Sequence, residues 1–235
     1  MKNLKSTFEK YGISLDDNQA EQFDKFFAHL IETNKVLNLT AITEENEVVI
    51  KHFLDSVLPC KLFPQDAKLV DVGSGAGFPA IPLKIVRSDL SVTMVDSLNK
   101  RINFLNEVIN LLDLKGCSAV HSRAEDFALK TREQFDVAVA RAVAPLNTLV
   151  EYLLPLVKVG GKAIIYKSSK LDEELAASQN AIKILGAKIE KIEHFEIEES
   201  EFEKMERKIL VLTKTSSTPK KYPRSGNKPK LSPIK

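Results

Sequence analysis

The chain has 235 residues, which is enough for one large domain or for one domain with an extension. Apolar residues make up 43% and charged residues 28%, which is typical of a globular protein and excludes a disordered chain, a collagen and a disulfide scaffold. No apolar run approaches the roughly 20 residues of a membrane-spanning helix, and the N-terminus lacks the apolar core of a signal peptide. We therefore expect a cytoplasmic monomer without membrane contact, in which Cys60 and Cys117 stay reduced.

Charge is distributed unevenly along the chain. The net charge is +2, but residues 214–235 contain seven Lys or Arg and no Asp or Glu, which leaves residues 1–213 at −5. This last segment also holds four of the ten prolines, so we expect a tail that cannot order itself by burying apolar surface. Any contact with a polyanion should then be local, through the tail and a patch on one face.

The first part of the chain, residues 1–60, has helical spacing and predicts an N-terminal helical extension. Apolar residues recur at intervals of three and four over 16–34, where Asp16 or Asp17 is suited to cap the helix. A second helix is predicted near 45–58, ending close to Pro59.

The middle part, residues 61–213, alternates strands and helices, which predicts an α/β fold with a doubly wound, mostly parallel sheet. The pair Gly160–Gly161 is expected to form a turn just before the fifth strand. The last two strands have no long helix between them and should form an antiparallel pair at the sheet edge. The seven predicted strands are 68–72, 91–95, 117–121, 135–140, 162–166, 187–197 and 207–213, and the clearest helix is 98–113.

A glycine loop follows the first strand and opens a helix. It reads Asp71-Val-Gly-Ser-Gly-Ala-Gly77, followed by Phe78. Glycines let a ligand approach the backbone closely, so this loop predicts a nucleotide-cofactor pocket at the carboxyl edge of the sheet. A P-loop motif is absent, and a dinucleotide fingerprint survives only if it is counted from Gly75. An acidic residue before Gly73, Gly75 and Gly77 is instead typical of class I S-adenosylmethionine (SAM) methyltransferases.

The ends of the next two strands supply further candidate cofactor contacts. Asp96 follows the glycine loop at about the sequence separation at which nucleotide-binding folds place a carboxylate that hydrogen-bonds a ribose diol. Asp96 or Ser97 could instead cap the following helix. Ala124 and Glu125 follow the third strand and could offer the adenine a backbone amide and an acceptor, or simply begin an acidic helix.

An ordered set of motifs resembles the bacterial small-subunit ribosomal RNA guanine-N7 methyltransferases. The resemblance covers nearly the whole chain and implies methylation of one guanine N7 in 16S ribosomal RNA of the 30S subunit, with SAM as donor. It also implies cofactor contacts at Gly73, Phe78, Ala124, Glu125 and Arg141. The motifs are Asn38-Leu-Thr-Ala-Ile42, His52-Phe-Leu-Asp-Ser56, Asp71-Val-Gly-Ser-Gly-Ala-Gly-Phe-Pro79, Asp96-Ser-Leu-Asn-Lys-Arg101, Arg123-Ala-Glu125, Arg141-Ala-Val-Ala144 and Tyr222-Pro-Arg224.

This chemistry requires few catalytic groups, because guanine N7 has a free lone pair and no proton to remove; orientation can supply most of the acceleration. Accordingly, the sequence shows no metal-ligand spacing and no histidine constellation. Arg141 after the fourth strand is predicted to line the cofactor and base site, or else to form a salt bridge. Asn38 either reaches the guanine edge or caps a helix. His52 and Asp55 are three residues apart, which favours a structural hydrogen-bonded pair.

Basic residues near the predicted pocket and in the tail are the candidates for RNA contact. Three rival interpretations are an NAD-dependent oxidoreductase, a non-catalytic RNA-binding module and a small-molecule methyltransferase; affinity for SAM against NADH separates the first two from a methyltransferase. The candidate RNA-binding residues are Lys100, Arg101, Arg123, Lys220, Lys221, Arg224 and Lys228.

Overall fold

The computed structural model describes residues 1, 3–168, 170–198 and 204–234. Its strands are β1 (Lys68–Val72), β2 (Ser91–Asp96), β3 (Cys117–His121), β4 (Phe135–Arg141), β5 (Val157–Lys167), β6 (Ala187–Glu198) and β7 (Lys204–Lys214). Its α-helices are α1 (Leu4–Glu9), α2 (Asp17–Leu37), α3 (Glu45–Val48), α4 (Asp55–Val57), α5 (Ala80–Val86), α6 (Asn99–Leu111), α7 (Ala124–Lys130), α8 (Leu146–Leu153), α9 (Leu171–Ala176), α10 (Gln179–Ile184) and α11 (Lys228–Leu231).

The first long helix, α2, begins and ends at the residues that its sequence indicates. Asp16 Oδ1 accepts from the Gln19 amide at 2.7 Å, and Gln19 Oε1 accepts from the Asp16 amide at 3.1 Å, which forms a capping box. Of the two predicted caps, Asp16 is therefore the correct one. The helix ends at Asn38, whose φ of 51° breaks the right-handed helix.

The second predicted helix contains a π-helical stretch. Helices α3 and α4 are joined by the π-helix Val49–Leu54, so the backbone is helical from Glu45 to Val57 but not uniformly α-helical. A π-turn widens the helix and changes which side chains lie above one another, and such turns are frequent at functional sites. This stretch contributes Lys51 and His52 to the site described below.

The sheet has the predicted architecture. Its order is β3-β2-β1-β4-β5-β7-β6, with β1 to β5 parallel and β7 antiparallel to both β5 and β6. The chain order reverses between β1 and β4, and ligands of open α/β sheets bind at such a switch point, beyond the carboxyl ends of the strands. The expected turn at Gly160–Gly161 is wrong, because both residues lie inside β5, where its register with β4 shifts.

Alternate residues of the central strands pack on opposite faces of the sheet. Leu69 of β1 and Val137 of β4 belong to the core that α1, α2, α5 and α6 cover. Val70 and Ala138 belong to the second core, which α7, α8 and α10 cover. The N-terminal helices therefore share one continuous core with the sheet. Cys60 and Cys117 are free thiols, and burial raises the pKa of each, to about 11 for Cys117.

The C-terminal segment packs on the second face, so the expectation of a tail that cannot order itself is wrong. Thr218, Tyr222 and Ile234 are buried. Lys214, which is 1% exposed, donates to the Leu154 carbonyl at 2.6 Å and to the Thr218 hydroxyl at 2.7 Å. The average composition of this segment did not indicate that a few apolar and polar side chains attach it to the fold.

None of the helices in the described ranges has the length and apolar character that a membrane span requires.

Candidate active site

A cavity of about 290 Å³ lies beyond the carboxyl ends of β1, β2 and β3. Five of the ten predicted cofactor residues line it, with two of the basic residues nominated for RNA. The predicted cofactor residues that do not line it are Asp71, Gly75, Gly77, Phe78 and Arg141. Val143, which lies in one of the resemblance motifs, and Tyr152, which no sequence signal singled out, also line it. The predicted residues that line it are Gly73, Asp96, Ser97, Arg101, Arg123, Ala124 and Glu125.

The glycine loop is held against β2 by hydrogen bonds that its backbone amides donate. The Gly73 amide donates to the Val95 carbonyl at 2.7 Å, and the Gly75 amide donates to Asp96 Oδ2 at 3.0 Å. Gly73 has a φ of +74°, and a Cβ there would lie 2.7 Å from Cγ2 of Val143. Gly77 has a φ of +90°, and its Cβ would meet Ile81 at 2.7 Å. Both positions therefore require glycine for backbone conformation and for space.

Asp96 joins the glycine loop to the start of α6. Its Oδ1 accepts from the Leu98 amide at 2.9 Å, and its Oδ2 accepts from Gly75 and, at 3.2 Å, from Arg101. Asp96 is not the N-cap of α6, which is Leu98; its carboxylate fixes the turn ahead of the helix and lines the cavity where a ribose diol would be bound. Arg101 is tied to Asp96, so its charge is less available to RNA than the sequence suggested.

Asp71, the acidic residue ahead of the loop, is completely buried. Within the described ranges neither carboxylate oxygen has a partner at hydrogen-bond geometry, although Ser74 and the Ala80 amide lie close enough to oppose the effect of burial on its pKa. Burial raises the pKa of this carboxyl to about 7. An unpaired buried carboxylate is costly unless a cation or a proton compensates it. Together with the glycine cradle and Asp96, this orphaned group suits a cationic nucleoside ligand, and S-adenosylmethionine, with its sulfonium and ammonium groups, is of that kind.

A second cavity, of about 650 Å³, lies beside the first at the carboxyl ends of β4 and β5. Ala142 and Val143 line both cavities and so form a shared wall. Ala142 has a φ of 57°, an uncommon value for a residue other than glycine and one that is concentrated at functional sites. The other residues around this cavity are Ile42, Lys51, His52, Asp55, Arg141, Ala144, Pro145, Tyr166, Lys167, Ser168, Glu174 and Arg207.

Arg141 is fixed at the edge of the second cavity by three elements. One terminal nitrogen donates to Asp55 Oδ2 at 2.7 Å and to the Lys51 carbonyl at 3.1 Å. The guanidinium also lies 5.1 Å from the centroid of the Phe78 ring. Arg141 therefore forms the salt bridge of the structural interpretation, and it lines the second cavity but not the first. Asp55 is 2% exposed, and its Oδ1 accepts from Arg207 at 2.7 Å.

His52 and Asp55 do not form the hydrogen bond that their spacing suggested. Both contact Arg141 instead, which donates to His52 Nδ1 at 3.2 Å. His52 Nδ1 also lies 3.2 Å from the Lys51 carbonyl, and Nε2 lies 2.8 Å from the Thr40 hydroxyl, so both ring nitrogens have polar partners. Burial, with the nearby Arg141 charge, lowers the pKa of His52 to about 4. The neutral ring stacks on Phe78 at 4.4 Å between centroids.

The sequence candidates outside the cavities have structural partners of their own. Asn38 ends α2 with an exposed side chain and lines neither cavity, so the geometry favours its capping role over the catalytic one. Arg224 is a correction, because its guanidinium pairs with the buried Glu151 at 2.7 Å instead of facing solvent alone. Lys100 donates to the Leu37 carbonyl at 3.1 Å, and Arg123 to Asn227 at 3.1 Å. Lys220, Lys221 and Lys228 are exposed.

Several cavity residues were missed because they are distant in sequence. Lys167 ends the fifth strand next to Arg141 on the fourth, and a polar residue at the carboxyl end of a central strand was a usable signal. Glu174 on α9 and Arg207 on β7 gave none. In the part of the chain that the structure describes, no three His, Cys, Asp or Glu side chains are grouped to hold a metal ion.

The strand order and the glycine-loop cavity are those of a class I S-adenosylmethionine-dependent methyltransferase. Two solved structures share this fold: TYW2 of P. horikoshii in complex with MeSAdo (TM-score 0.54, 19% identity, 68% of this chain and 61% of that one) and TYW2 of M. jannaschii in complex with AdoMet (TM-score 0.53, 13% identity, 73% and 77%). These likenesses concern the fold.

The family described as "GidB: rRNA small subunit methyltransferase G" matches residues 19–204. A relative with the name Ribosomal RNA small subunit methyltransferase G from Lachnoclostridium phytofermentans is 50% identical over 95% of this chain and 93% of its own length. Another, from Brevibacillus brevis, is 49% identical over 95% and 94%. The chain belongs to the rRNA small subunit methyltransferase G family. The predicted family, enzyme class and cofactor are thereby confirmed: the protein is a SAM-dependent methyltransferase.

Proposed function

We propose that this enzyme methylates the N7 atom of one guanine in 16S ribosomal RNA of the small ribosomal subunit. The observation that carries the proposal is the pair of adjacent cavities with one shared wall, Ala142 and Val143, in a member of this family. One cavity has the groups that suit an adenosine and a cation, and the other is large enough for a base that has left its stack.

The chain's own residues position the two reactants. The glycine loop and Asp96 hold the nucleoside end of the cofactor, and Asp71 supplies a carboxylate beside the loop. When bound, SAM offers a methyl group on a positively charged sulfur, and guanine N7 forms the new bond while the carbon–sulfur bond breaks. No residue has to remove a proton from N7, which agrees with a site that holds a neutral His52 and a paired Arg141. Orientation across the shared wall is then the main source of acceleration.

Arg141 is proposed to order the site between the two cavities. Its contacts join the π-helical stretch to the end of β4, and its face covers Phe78 at the end of the glycine loop. Replacement by Ala removes these contacts at once. We expect Arg141→Ala to lower methyl transfer to 30S subunits strongly; turnover close to that of the wild type would refute the role.

The RNA is proposed to meet exposed basic side chains around the site. Lys220, Lys221 and Lys228 of the C-terminal segment remain candidates, together with Lys100, because all four residues are exposed. Arg101 and Arg123 lie at the rim of the first cavity, where a phosphate of the target strand and the cofactor would both be close.

The test is methyl transfer from radiolabelled SAM to 30S subunits isolated from cells that lack this gene. We expect a single labelled N7-methylguanine in 16S ribosomal RNA, located by nuclease digestion with mass spectrometry and by chain cleavage after borohydride reduction and aniline treatment. Particles from cells that retain the gene are the control and should accept no further label. Label on another base atom, on protein, or on no component of the subunit would refute the proposal.

A further inference from the structure

Glu174 lines the second cavity, and one of its two carboxylate oxygens is hydrogen-bonded within the protein. Oε2 accepts from the Leu146 amide at 2.7 Å and from Lys167 Nζ at 2.6 Å. Within the described ranges, no hydrogen bond reaches Oε1. The residue lines the cavity and is partly exposed, so the second oxygen is an acceptor held in a defined place.

Lys167 supplies the complementary donor beside it. Its Nζ donates to Glu174 and, at 3.1 Å, to the Ala144 carbonyl, and an ammonium has three protons, so one is left for a ligand. Tyr166 is paired with Arg141 across the sheet, which places Lys167 level with Ala142 of the shared wall. A fixed acceptor and a fixed donor therefore lie side by side, one strand away from that wall.

This arrangement matches the edge of guanine and opposes that of adenine. Guanine presents the O6 acceptor next to the N1 and N2 donors, whereas adenine presents the N6 donor next to the N1 acceptor. Adenine also has an N7 with a free lone pair, so the reaction alone does not exclude it. Once a base fills the cavity, polar groups placed for one pattern reject the other, because the mismatched groups lose water without gaining partners.

We propose that Glu174 selects guanine: its Oε1 accepts from N1–H and the N2 amino group, while Lys167, which Glu174 positions, donates to O6. The proposal rests on guanine N7 methylation as the function of this site. It adds the recognition of the base to the transfer of the methyl group. The base then lies with its hydrogen-bonding edge toward α9 and its N7 toward the wall that the two cavities share.

Inosine is the probe, since it retains O6, N1–H and N7 and lacks only the N2 amino group. Particles of the 30S subunit are reconstituted with 16S ribosomal RNA ligated from two pieces, with guanosine or inosine at the mapped target nucleotide. We expect wild-type kcat/KM to be about tenfold higher on guanosine particles, because one hydrogen bond to a charged acceptor is lost on inosine.

Glu174→Gln is the matching change in the enzyme. The amide can keep the Leu146 contact through its oxygen, but its NH₂ group then faces the donors of guanine. We expect kcat/KM on guanosine particles to fall about 10- to 100-fold and the preference over inosine to shrink to about twofold or less. Glu173→Gln, one residue earlier on α9 with an exposed side chain, is the control and should retain the wild-type preference.

Two results would overturn the proposal. The first is an equal kcat/KM of the wild type on guanosine and inosine particles, a result that does not depend on whether any variant folds. The second is an unchanged preference for guanosine over inosine in Glu174→Gln protein that still binds S-adenosylhomocysteine in calorimetry. If the wild type placed no methyl group on guanosine particles at all, the proposed function itself would fail, which is a different outcome from a loss of selectivity.

Discussion

The buried ion pair between Arg224 and Glu151 gives the sharpest test of how the C-terminal segment is attached. Glu151 on α8 is 0% exposed and accepts from Arg224 Nε at 2.9 Å, from its terminal nitrogen at 2.7 Å and from its amide at 2.8 Å. Arg224→Ala leaves the carboxylate buried with only the amide contact. Breaking a buried pair from one side costs about 3–5 kcal/mol, and the 26% exposure of the Arg224 side chain admits some water, so we expect about 3 kcal/mol.

The assay is urea unfolding of the purified protein, with a melting curve as a second measurement. A loss of about 3 kcal/mol corresponds to a fall in Tm of roughly 6–12 °C for a chain of this size. Lys220→Ala, an exposed change in the same segment, should have almost no effect. Adding Glu151→Gln to Arg224→Ala removes the unpaired charge and should recover part of the loss. If Arg224→Ala cost less than about 1 kcal/mol, the segment would not be anchored as described.

Three further predictions concern the glycine loop, the buried acid and the exposed lysines. Gly73→Ala and Gly75→Ala both place Ala at positive φ, but only the first meets a side chain, Val143 at 2.7 Å, so its unfolding free energy should fall by about 1 kcal/mol more; equal losses in urea would contradict this. Since burial raises the pKa of Asp71 to about 7, the folded state favours its protonated form, and its stabilising effect is lost as pH rises through 7. From about pH 5 to about pH 8, the cofactor-free wild type should therefore lose roughly 2–3 kcal/mol of stability relative to Asp71→Asn, and parallel pH profiles would show an ionised or paired carboxylate. The third variant replaces Lys220, Lys221 and Lys228 by alanine. A plot of the logarithm of its binding constant for 30S subunits against the logarithm of the salt concentration should have a slope shallower by about 2, and an unchanged slope would exclude these lysines from the interface.

The sheet was largely predictable because its strands are short apolar runs separated by helices of regular spacing. Five parallel strands, the antiparallel edge pair and the glycine loop at the switch point follow from that pattern. The glycine loop could also be predicted, because its glycines and Asp96 are close in sequence to the strands that position them, so local pattern and tertiary position agree.

Most of the residues that line the second cavity could not be predicted from the sequence, because they come from segments that are far apart along the chain. The π-helical stretch turns Lys51 and His52 toward Arg141, and a change from α- to π-helical spacing leaves no mark in apolar periodicity. Glu174 enters the same cavity from α9, over 30 residues after Arg141 along the chain. The prediction for the C-terminal segment was wrong for another reason. Composition is an average over the segment, whereas its position is fixed by individual contacts such as the ion pair of Arg224 with Glu151.

The strained turn at the end of β4 has one more implication. Because Ala142 and Val143 line both the proposed nucleoside cavity and the proposed base cavity, a shift of this turn alters both cavities together. Neither the donor nor the acceptor compartment can be remodelled alone by changes at these two positions. Attempts to accept a bulkier cofactor analogue through them should disturb the choice of nucleotide as well, and the two specificities should be engineered as a single trait.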